Sequence, residues 1–255
     1  MTDPTTRFST RADAYTRYRP DYPDALLPEL LGKAGLGAGA TVADMGAGTG
    51  IFSRRLLQQQ LRVQAVEPNP PMRAVAEASL GDNPLFTSVN GRAEQTGLAD
   101  ASVDLITAAQ AFHWFDQRAA GAEFRRILKA DGLVALIWNR RDTRQPLQQA
   151  YDAILQEFAP GYGKVNHMHL DADQIGRFLQ PEHMQRMHFA NRQRLDFNSL
   201  LGRLKSSSYC PGEDSPQYIP LVTELLALFD HYAVDQHIDF DYDTRVYLGP
   251  VRAGT

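Results

Sequence analysis

The sequence predicts an α/β protein: a doubly wound, mostly parallel seven-stranded sheet with a helical insertion or cap. Three observations predict it. Residues 41–52 read Thr-Val-Ala-Asp-Met-Gly-Ala-Gly-Thr-Gly-Ile-Phe. An apolar run, a glycine-spaced turn and a helical pattern in that order make a βα unit with a ligand-binding turn. Short apolar runs then alternate with helix-period segments as far as Asp142, the pattern of parallel strands joined by right-handed crossovers. The run beginning Val103-Asp-Leu-Ile-Thr-Ala-Ala is apolar at most positions, as a strand covered on both faces must be.

The chain has 255 residues. It is expected to form a single domain over 1–255. Its parts are an N-terminal cap segment (1–35), a cofactor-binding core (36–142), a helical insertion and substrate cap with one strand (143–235), and a final strand (236–255). The hydrophobic fraction is 43% and the charged fraction 22%, ordinary values for a globular protein. A net charge of −4 argues against nucleic acid or an anionic membrane as partner. The single cysteine, Cys210, excludes an internal disulfide framework and fits a reducing compartment. Residues 1–20 carry Asp3, Arg7, Arg11, Asp13, Arg17 and Arg19 without an apolar stretch, so no signal peptide is expected. No run reaches the roughly 18 apolar residues of a membrane span. The expectation is a soluble cytoplasmic protein, monomer or homodimer, acting on a small molecule.

From the N-terminus, residues 7–23 interleave arginines with aromatics: Arg7, Phe8, Arg11, Tyr15, Arg17, Tyr18, Arg19 and Tyr22. Tyr15 and Tyr18 share a helix face, and Pro20 and Pro23 stop the helix. The segment reads either as a cap whose Arg7, Tyr15 and Tyr18 face a polar or anionic substrate, or as an amphipathic helix with a solvated basic face. Residues 24–35 repeat leucines at helical period (Leu26, Leu27, Leu30, Leu31) and end in glycine. The first strand then carries Asp44 into the turn Gly46-Ala47-Gly48-Thr49-Gly50. Glycine there tolerates positive φ and lets a cofactor approach the backbone. The dinucleotide fingerprint would need a third glycine where Ile51 stands, and an acid at Asp44 would repel a pyrophosphate. Asp44 suits a ligand with a positively charged amino-acid part.

Leu61–Glu67 alternates at period two, as a second strand does, and Glu67 at its end is placed to accept two ribose hydroxyls. Pro68-Asn69-Pro70-Pro71 opens the next helix, with Asn69 as N-cap and Met72 in its first turn. Leu85–Asn90 is the third strand, followed by Gly91-Arg92-Ala93-Glu94. The fourth strand delivers Gln110, Phe112, His113 and Trp114 to the crevice at the strand ends. His113, whose ordinary pKa is about 6.5, is a candidate general base, a positioning group or a structural residue. Trp114 is expected to wall the pocket. Asp116–Lys129 is helical, Asp131-Gly132 closes it, and Leu133–Trp138 is the fifth strand, ending near Arg140.

Beyond Asp142 the pattern changes. Residues 145–158 read as a helix and 159–170 as a loop. His167, His169 and His183 lack metal-ligand spacing, so no metal is expected. Residues 186–197 suit a strand, Ser199–Lys205 a short helix, 217–235 a long amphipathic helix, and Asp239–Gly249 a last, antiparallel strand. Ser206, Ser208 and Tyr209 are read either as groups for a polar substrate or as loop caps.

Several of these motifs match one family. Asp44-Met-Gly-Ala-Gly-Thr-Gly50 resembles the acid-x-G-x-G-x-G motif of the class I, Rossmann-like S-adenosylmethionine-dependent methyltransferases. Phe112-His-Trp-Phe-Asp116 resembles a segment of their small-molecule subgroup, the type 11 or trans-aconitate methyltransferase-like kind. Phe8, Arg11, Ala12, Tyr15, Arg19 and Pro20 match that subgroup's N-terminal segment, which folds over the cofactor. Glu123–Gly132 matches a further segment, with Ala130 and Asp131 departing from its usual proline and glycine. The resemblance covers residues 7–142 well and the remainder weakly. It implies S-adenosyl-L-methionine as cofactor. The implied contacts are Asp44, Gly46, Ala47, Gly48, Gly50, Glu67, Pro68 and Met72, with Ala93, Glu94 and Gln110 near the adenine and strand end. His113 stays the candidate catalytic group on its own chemistry, beside the positioning and structural readings. Trp114, Arg140, Ser206, Ser208 and Tyr209, with Arg7, Tyr15 and Tyr18, are implied for the acceptor. An NAD-dependent oxidoreductase and a non-catalytic cofactor-binding module are the alternatives.

Overall fold

The computed structural model describes residues 16–165 and 172–252. Seven strands form one sheet: β1 (Thr41–Met45), β2 (Arg62–Val66), β3 (Phe86–Val89), β4 (Val103–Ala109), β5 (Leu128–Arg141), β6 (Gln185–Leu195) and β7 (Ile238–Gly249), in the order β3-β2-β1-β4-β5-β7-β6. The first five pair in parallel, and β7 lies antiparallel between β5 and β6. The sequence expectation for the sheet holds. The order reverses where β1 meets β4, and an open α/β sheet leaves its ligand crevice at such a switch point.

The connecting helices are α1 (Leu26–Ala34), α2 (Ile51–Gln58), α3 (Pro70–Leu80) and α4 (Gln117–Ile127). Each buries one apolar stripe against a face of the sheet. Adjacent residues of β4 serve opposite faces, as the pleat requires. Leu105 packs with Leu30, Phe52 and Leu56 on one side, and Ile106 with Phe112, Phe124 and Trp138 on the other. Each such fully buried side chain contributes roughly 1.5–3 kcal/mol. Asn69 caps α3, its side chain accepting the Met72 N–H at 3.1 Å, and Asp116 caps α4, so both helix starts carry an acceptor for otherwise unpaired donors.

The second half adds α5 (Pro146–Phe158), the short α6 (Tyr162–Val165), α7 (Ala172–Phe178), α8 (Phe197–Lys205) and α9 (Tyr218–Tyr232). All of these except α7 contribute to a third apolar cluster, in which Tyr151, Leu200, Leu221 and, from β7, Phe240 are fully buried. Phe240 and Tyr242 of β7 belong to this cluster, while Val246 and Leu248 belong to the sheet core. One strand thus joins the insertion to the sheet. Among the described residues, no helix is long and apolar enough to cross a membrane.

Three details differ from the sequence reading. Asp131-Gly132 does not close a helix ahead of the fifth strand. Helix α4 ends at Ile127, β5 starts at Leu128, and the register with β4 shifts between Val103↔Leu128 and Leu105↔Leu133. The intervening residues form a bulge. Gly132 permits it, because a Cβ there would lie 2.7 Å from Leu128 Cδ2. The expected loop at 159–170 contains the helical turn α6. Helix α7 was not foreseen, since Ala-Asp-Gln-Ile-Gly-Arg-Phe is polar and contains a glycine. Tertiary packing of Ile175 and Phe178 into the core decides it.

Candidate active site

The glycine turn sits at the carboxyl end of β1. The amides of Gly46 and Ala47 donate to the Val66 carbonyl at 2.9 and 3.1 Å, tying the turn to β2. Its glycines do different work. Gly48 has φ +58, and a Cβ there would meet nothing closer than 4.0 Å, the Met72 Cε and the Gly46 carbonyl. The space beside it is open to the cavity. Gly50 has φ +82, and its Cβ would lie 2.7 Å from Leu80 Cδ1 and 3.2 Å from Ala76 Cβ. Gly50 therefore serves the close approach of α2 to α3, and it does not line the cavity. Thr49 is buried in the lining, and its hydroxyl has no hydrogen-bond partner among the described residues.

Two acids stand at this end. Asp44 is 1% exposed. Its Oδ2 accepts from Ser53 Oγ at 2.6 Å and its Oδ1 from Thr107 Oγ1 at 2.8 Å. Burial pushes its pKa up to about 6 despite these two donors, with a smaller push from Glu67. Glu67 accepts the Gly48 amide at Oε2 and the Asn69 amide at Oε1, both at 2.8 Å. Burial raises its pKa too, against the two amides and the Arg73 guanidinium. Each carboxylate oxygen keeps a second lone pair. Pro68, Met72, Ala93 and Glu94 complete this side of the cavity. Glu94 Oε1 accepts the Asp116 amide at 2.8 Å, so it also links the third-strand turn to the cap of α4.

At the end of β4, Gln110 holds φ +58, a left-handed conformation uncommon for a residue with a side chain. Its amide bonds the Ile137 carbonyl at 2.9 Å. Such outliers collect at functional sites. The chain then makes a 3₁₀ turn, Phe112–Trp114. This turn divides the aromatic motif. Phe112 enters the core, 4.6 Å from the Phe178 ring, while His113 and Trp114 line the cavity with ring centroids 4.7 Å apart.

The opposite wall comes from the N-terminal segment and the insertion. Asn139 and Asn191 donate to the Asp21 carbonyl at 3.3 and 2.8 Å, and Arg55 holds Asp21, Asp24 and the Tyr22 carbonyl. These bonds set Arg19, Pro20 and Tyr22 in the lining. Ser208 and Tyr209 line it as well. Arg7, Tyr15, His167 and His169 lie outside the described residues. Tyr18 packs over Gly202 and is absent from the lining. Ser206 is fully buried, its hydroxyl bonded to the Arg203 carbonyl at 2.6 Å, the capping alternative. Arg140 faces Arg245, Asp243 and Tyr247 away from the cavity, and burial lowers its pKa. Its neighbour Arg141 lines the cavity instead, because successive strand residues point to opposite faces. Arg203 of α8 and Tyr162 and Tyr242 also line the cavity without having been foreseen. Arg203 carried no local signal, since it reads as one more charge on a short helix. Among the described residues no group of three His, Cys, Asp or Glu is placed to hold a metal ion.

One cavity is thus lined by Asp44 and Glu67, by the Arg92–Glu94 pair, and by Arg19, Arg141 and Arg203 from the N-terminal segment, β5 and α8. Comparison with known proteins bears on the fold and on residues 43–136. The model of the Methyltransf_11 methyltransferase domain matches residues 43–136. An uncharacterized methyltransferase of Mycobacterium tuberculosis is 41% identical over 137 residues, 54% of either chain. The match thus spans about half the length of that curated relative. One of Schizosaccharomyces pombe is 26% identical over 246 residues, 94% of this chain and 95% of its own. Among solved structures, a candidate type II methyltransferase of Anaeromyxobacter dehalogenans superposes with a TM-score of 0.67 at 24% identity, over 91% of this chain and 98% of the other. Phosphoethanolamine N-methyltransferase 2 of Haemonchus contortus, solved with phosphomonomethylethanolamine and S-adenosylhomocysteine, gives 0.55 at 16% identity, over 95% of this chain and 57% of the other. At these identities the structures speak for the fold, and the sequence relatives and the domain model carry the kinship. Residues 43–136 thus match the type 11 methyltransferase domain, and the fold that carries them is that of the class I, Rossmann-like methyltransferases.

Proposed function

We propose that the chain transfers a methyl group from S-adenosylmethionine to a small, polar or anionic acceptor. The observation that carries this reading is the single cavity joining the Gly46–Thr49 turn and Glu67 to the arginine-bearing wall. The chain's residues fit the cofactor. The space beside Gly48 admits it without a Cβ in the way, and the buried Thr49 hydroxyl awaits a partner. Glu67 has lone pairs left for the ribose hydroxyls. Met72 and Ala93 offer apolar contact for the base, and Asp44 a negative charge for the amino-acid part. When bound, S-adenosylmethionine supplies a methyl group on a positively charged sulfur, ready for displacement.

The protein's share is orientation and the exclusion of water, which together account for much of the rate in such transfers. Trp114, Pro20 and Tyr22 line the cavity and supply the apolar cover that this role needs. His113 holds the acceptor in line and takes its proton at a ring nitrogen when the attacking group is protonated. In this reading residues 1–35 and 143–235 act as caps over a cofactor-binding core at 36–142.

Calorimetric titration with S-adenosylmethionine and, separately, NAD tests the cofactor. Saturating NAD binding with no response to S-adenosylmethionine would refute the reading. Transfer from labelled donor into a cell extract, with mass analysis of the product, tests catalysis. Binding without any labelled product would leave a non-catalytic module in its place.

A further inference from the structure

The insertion end of the cavity holds two buried guanidinium groups whose chemistry the cofactor does not use. Arg203 is 4% exposed. Its Nε donates to Tyr242 Oη at 2.7 Å and its Nη1 to Tyr151 Oη at 3.3 Å. Its guanidinium carbon stands 4.7 Å from the Phe240 ring centroid and 5.7 Å from that of Tyr151. Among the described residues it forms no ion pair. Arg141, at the end of β5, has a side chain only 9% exposed. Its Nη2 meets Asp152 Oδ1 at 2.8 Å and the Tyr162 hydroxyl. Its Nη1 is buried and has no hydrogen-bond partner among the described residues. It stands 5.2 Å from the same Tyr151 ring, and both arginines line the cavity.

An arginine stays protonated at any working pH, so this wall carries two fixed positive charges against the one carboxylate of Asp152. The surrounding phenols do not neutralise them. Burial holds Tyr151, Tyr162 and Tyr242 above the ordinary phenol range, and all three remain uncharged. Aromatic faces and phenol oxygens ease the burial of a guanidinium, but desolvating one without a counter-charge remains costly. A buried N–H with no acceptor adds to that cost. Each deficit is met by the same thing, an oxyanion placed between the two side chains.

We infer that Arg141 and Arg203 form an anion subsite that anchors a carboxylate or phosphate group of the methyl acceptor and selects for acceptors bearing one. The inference rests on the methyl-transfer reading of the cavity and deepens it. The aromatic rings fix both guanidiniums in place, so little side-chain freedom is lost on binding. Both guanidiniums lie close to the Tyr151 ring, 5.2 and 5.7 Å from its centroid.

The test uses the full chain held with S-adenosylhomocysteine and titrated with three probe sets: small carboxylates (succinate, citrate), phosphates (glycerol phosphate, phosphoethanolamine) and the neutral diamide succinamide. We expect at least one oxyanion probe to bind and the diamide not to. The set that binds tells carboxylate from phosphate. Arg203→Met and Arg141→Gln should each weaken that binding at least about tenfold, the loss of one charge-assisted hydrogen bond, while S-adenosylhomocysteine affinity stays within about twofold. Arg203→Met should also melt no lower than the wild type, because replacing an uncompensated buried charge with an apolar chain is neutral or stabilising; a purely structural arginine would give a lower melting temperature. If Arg203→Met does not fold, Arg141→Gln decides alone. Equal binding of oxyanions by wild type and variants, or no oxyanion binding up to millimolar concentration, overturns the subsite. Failure of the wild type to bind S-adenosylhomocysteine overturns the methyl-transfer reading instead, and oxyanion binding lost in the variants would still support the subsite.

Discussion

Two glycines of the same turn, Gly48 and Gly50, should fail in opposite ways when given a methyl group. Alanine at either Gly48 or Gly50 must adopt positive φ, +58 or +82, at a cost of about 1–2 kcal/mol. At Gly48 the new Cβ meets nothing within 4.0 Å, and the backbone cost is the whole effect on stability. At Gly50 the Cβ would sit 2.7 Å from Leu80 Cδ1 and 3.2 Å from Ala76 Cβ, so α2 must move off α3. Overpacking of this kind adds about 1–3 kcal/mol, for a sum of roughly 2–5 kcal/mol. In a chain of this size each kcal/mol lowers the melting temperature by about 2–4 °C. Gly50→Ala should therefore melt about 4–20 °C below the wild type, and Gly48→Ala only a few degrees below. Affinity should invert the order. The Gly48 methyl occupies space the cofactor needs and should weaken S-adenosylhomocysteine about 10–100-fold, with Gly48→Val abolishing it, while folded Gly50→Ala should bind within a few-fold of wild type. Differential scanning calorimetry and isothermal titration read the two quantities separately. Wild-type affinity in Gly48→Ala, or equal melting temperatures for the two variants, would show that the turn has been assigned wrongly.

Further outcomes follow from the same geometry. Asp44 is raised from 3.8 to about 6 in the folded protein, so the folded state binds the proton more tightly than the unfolded chain does. Stability from this group is fully present below about pH 4 and is lost as pH rises through 6, about 3 kcal/mol in all. Urea unfolding at pH 4.5 and 7 should show a steeper loss for wild type than for Asp44→Asn, and parallel curves would contradict the raised pKa. Glu67→Gln leaves one of the Gly48 and Asn69 amides, both now bonded at 2.8 Å, facing an amide nitrogen that cannot accept. We expect a loss of about 1–3 kcal/mol in stability and at least about tenfold in S-adenosylhomocysteine affinity, measured by titration; an unchanged affinity would remove Glu67 from the cofactor site. Gly202→Ala would press a Cβ into the ring of Tyr18 and should loosen the segment at residues 18–24 from the sheet. Limited proteolysis should then cut within that segment faster than in wild type, and an unchanged cleavage pattern would show that Tyr18 does not anchor it.

What sequence alone determined is local. The acid, the glycine turn and the helix that follow β1 are contiguous, and their order dictates a tight turn at the strand end. Glu67 is found by counting to the next strand end, and Phe112–Asp116 by the apolar run before it, because strand period and strand length are properties of short segments. The helix cap at Asn69 belongs to the same class. Tertiary structure decided what depends on register and on distant partners. Arg140 and Arg141 are indistinguishable in sequence. The pleat of β5 and its pairing with β7 turn one toward Asp243 and the other into the cavity. The roles within the glycine turn were equally hidden, since only the approach of Leu80 from α3 separates Gly50 from Gly48. Arg203 is the clearest instance. Its phenol partners lie 39 and 52 residues away in the chain, so no window on the sequence could show that this arginine is buried and short of a counter-charge. The end of the cavity around Asp44 and Glu67 is built from short motifs at successive strand ends, each legible in its own window. The acceptor end is assembled by folding from five separate segments, and only packing brings its charges together.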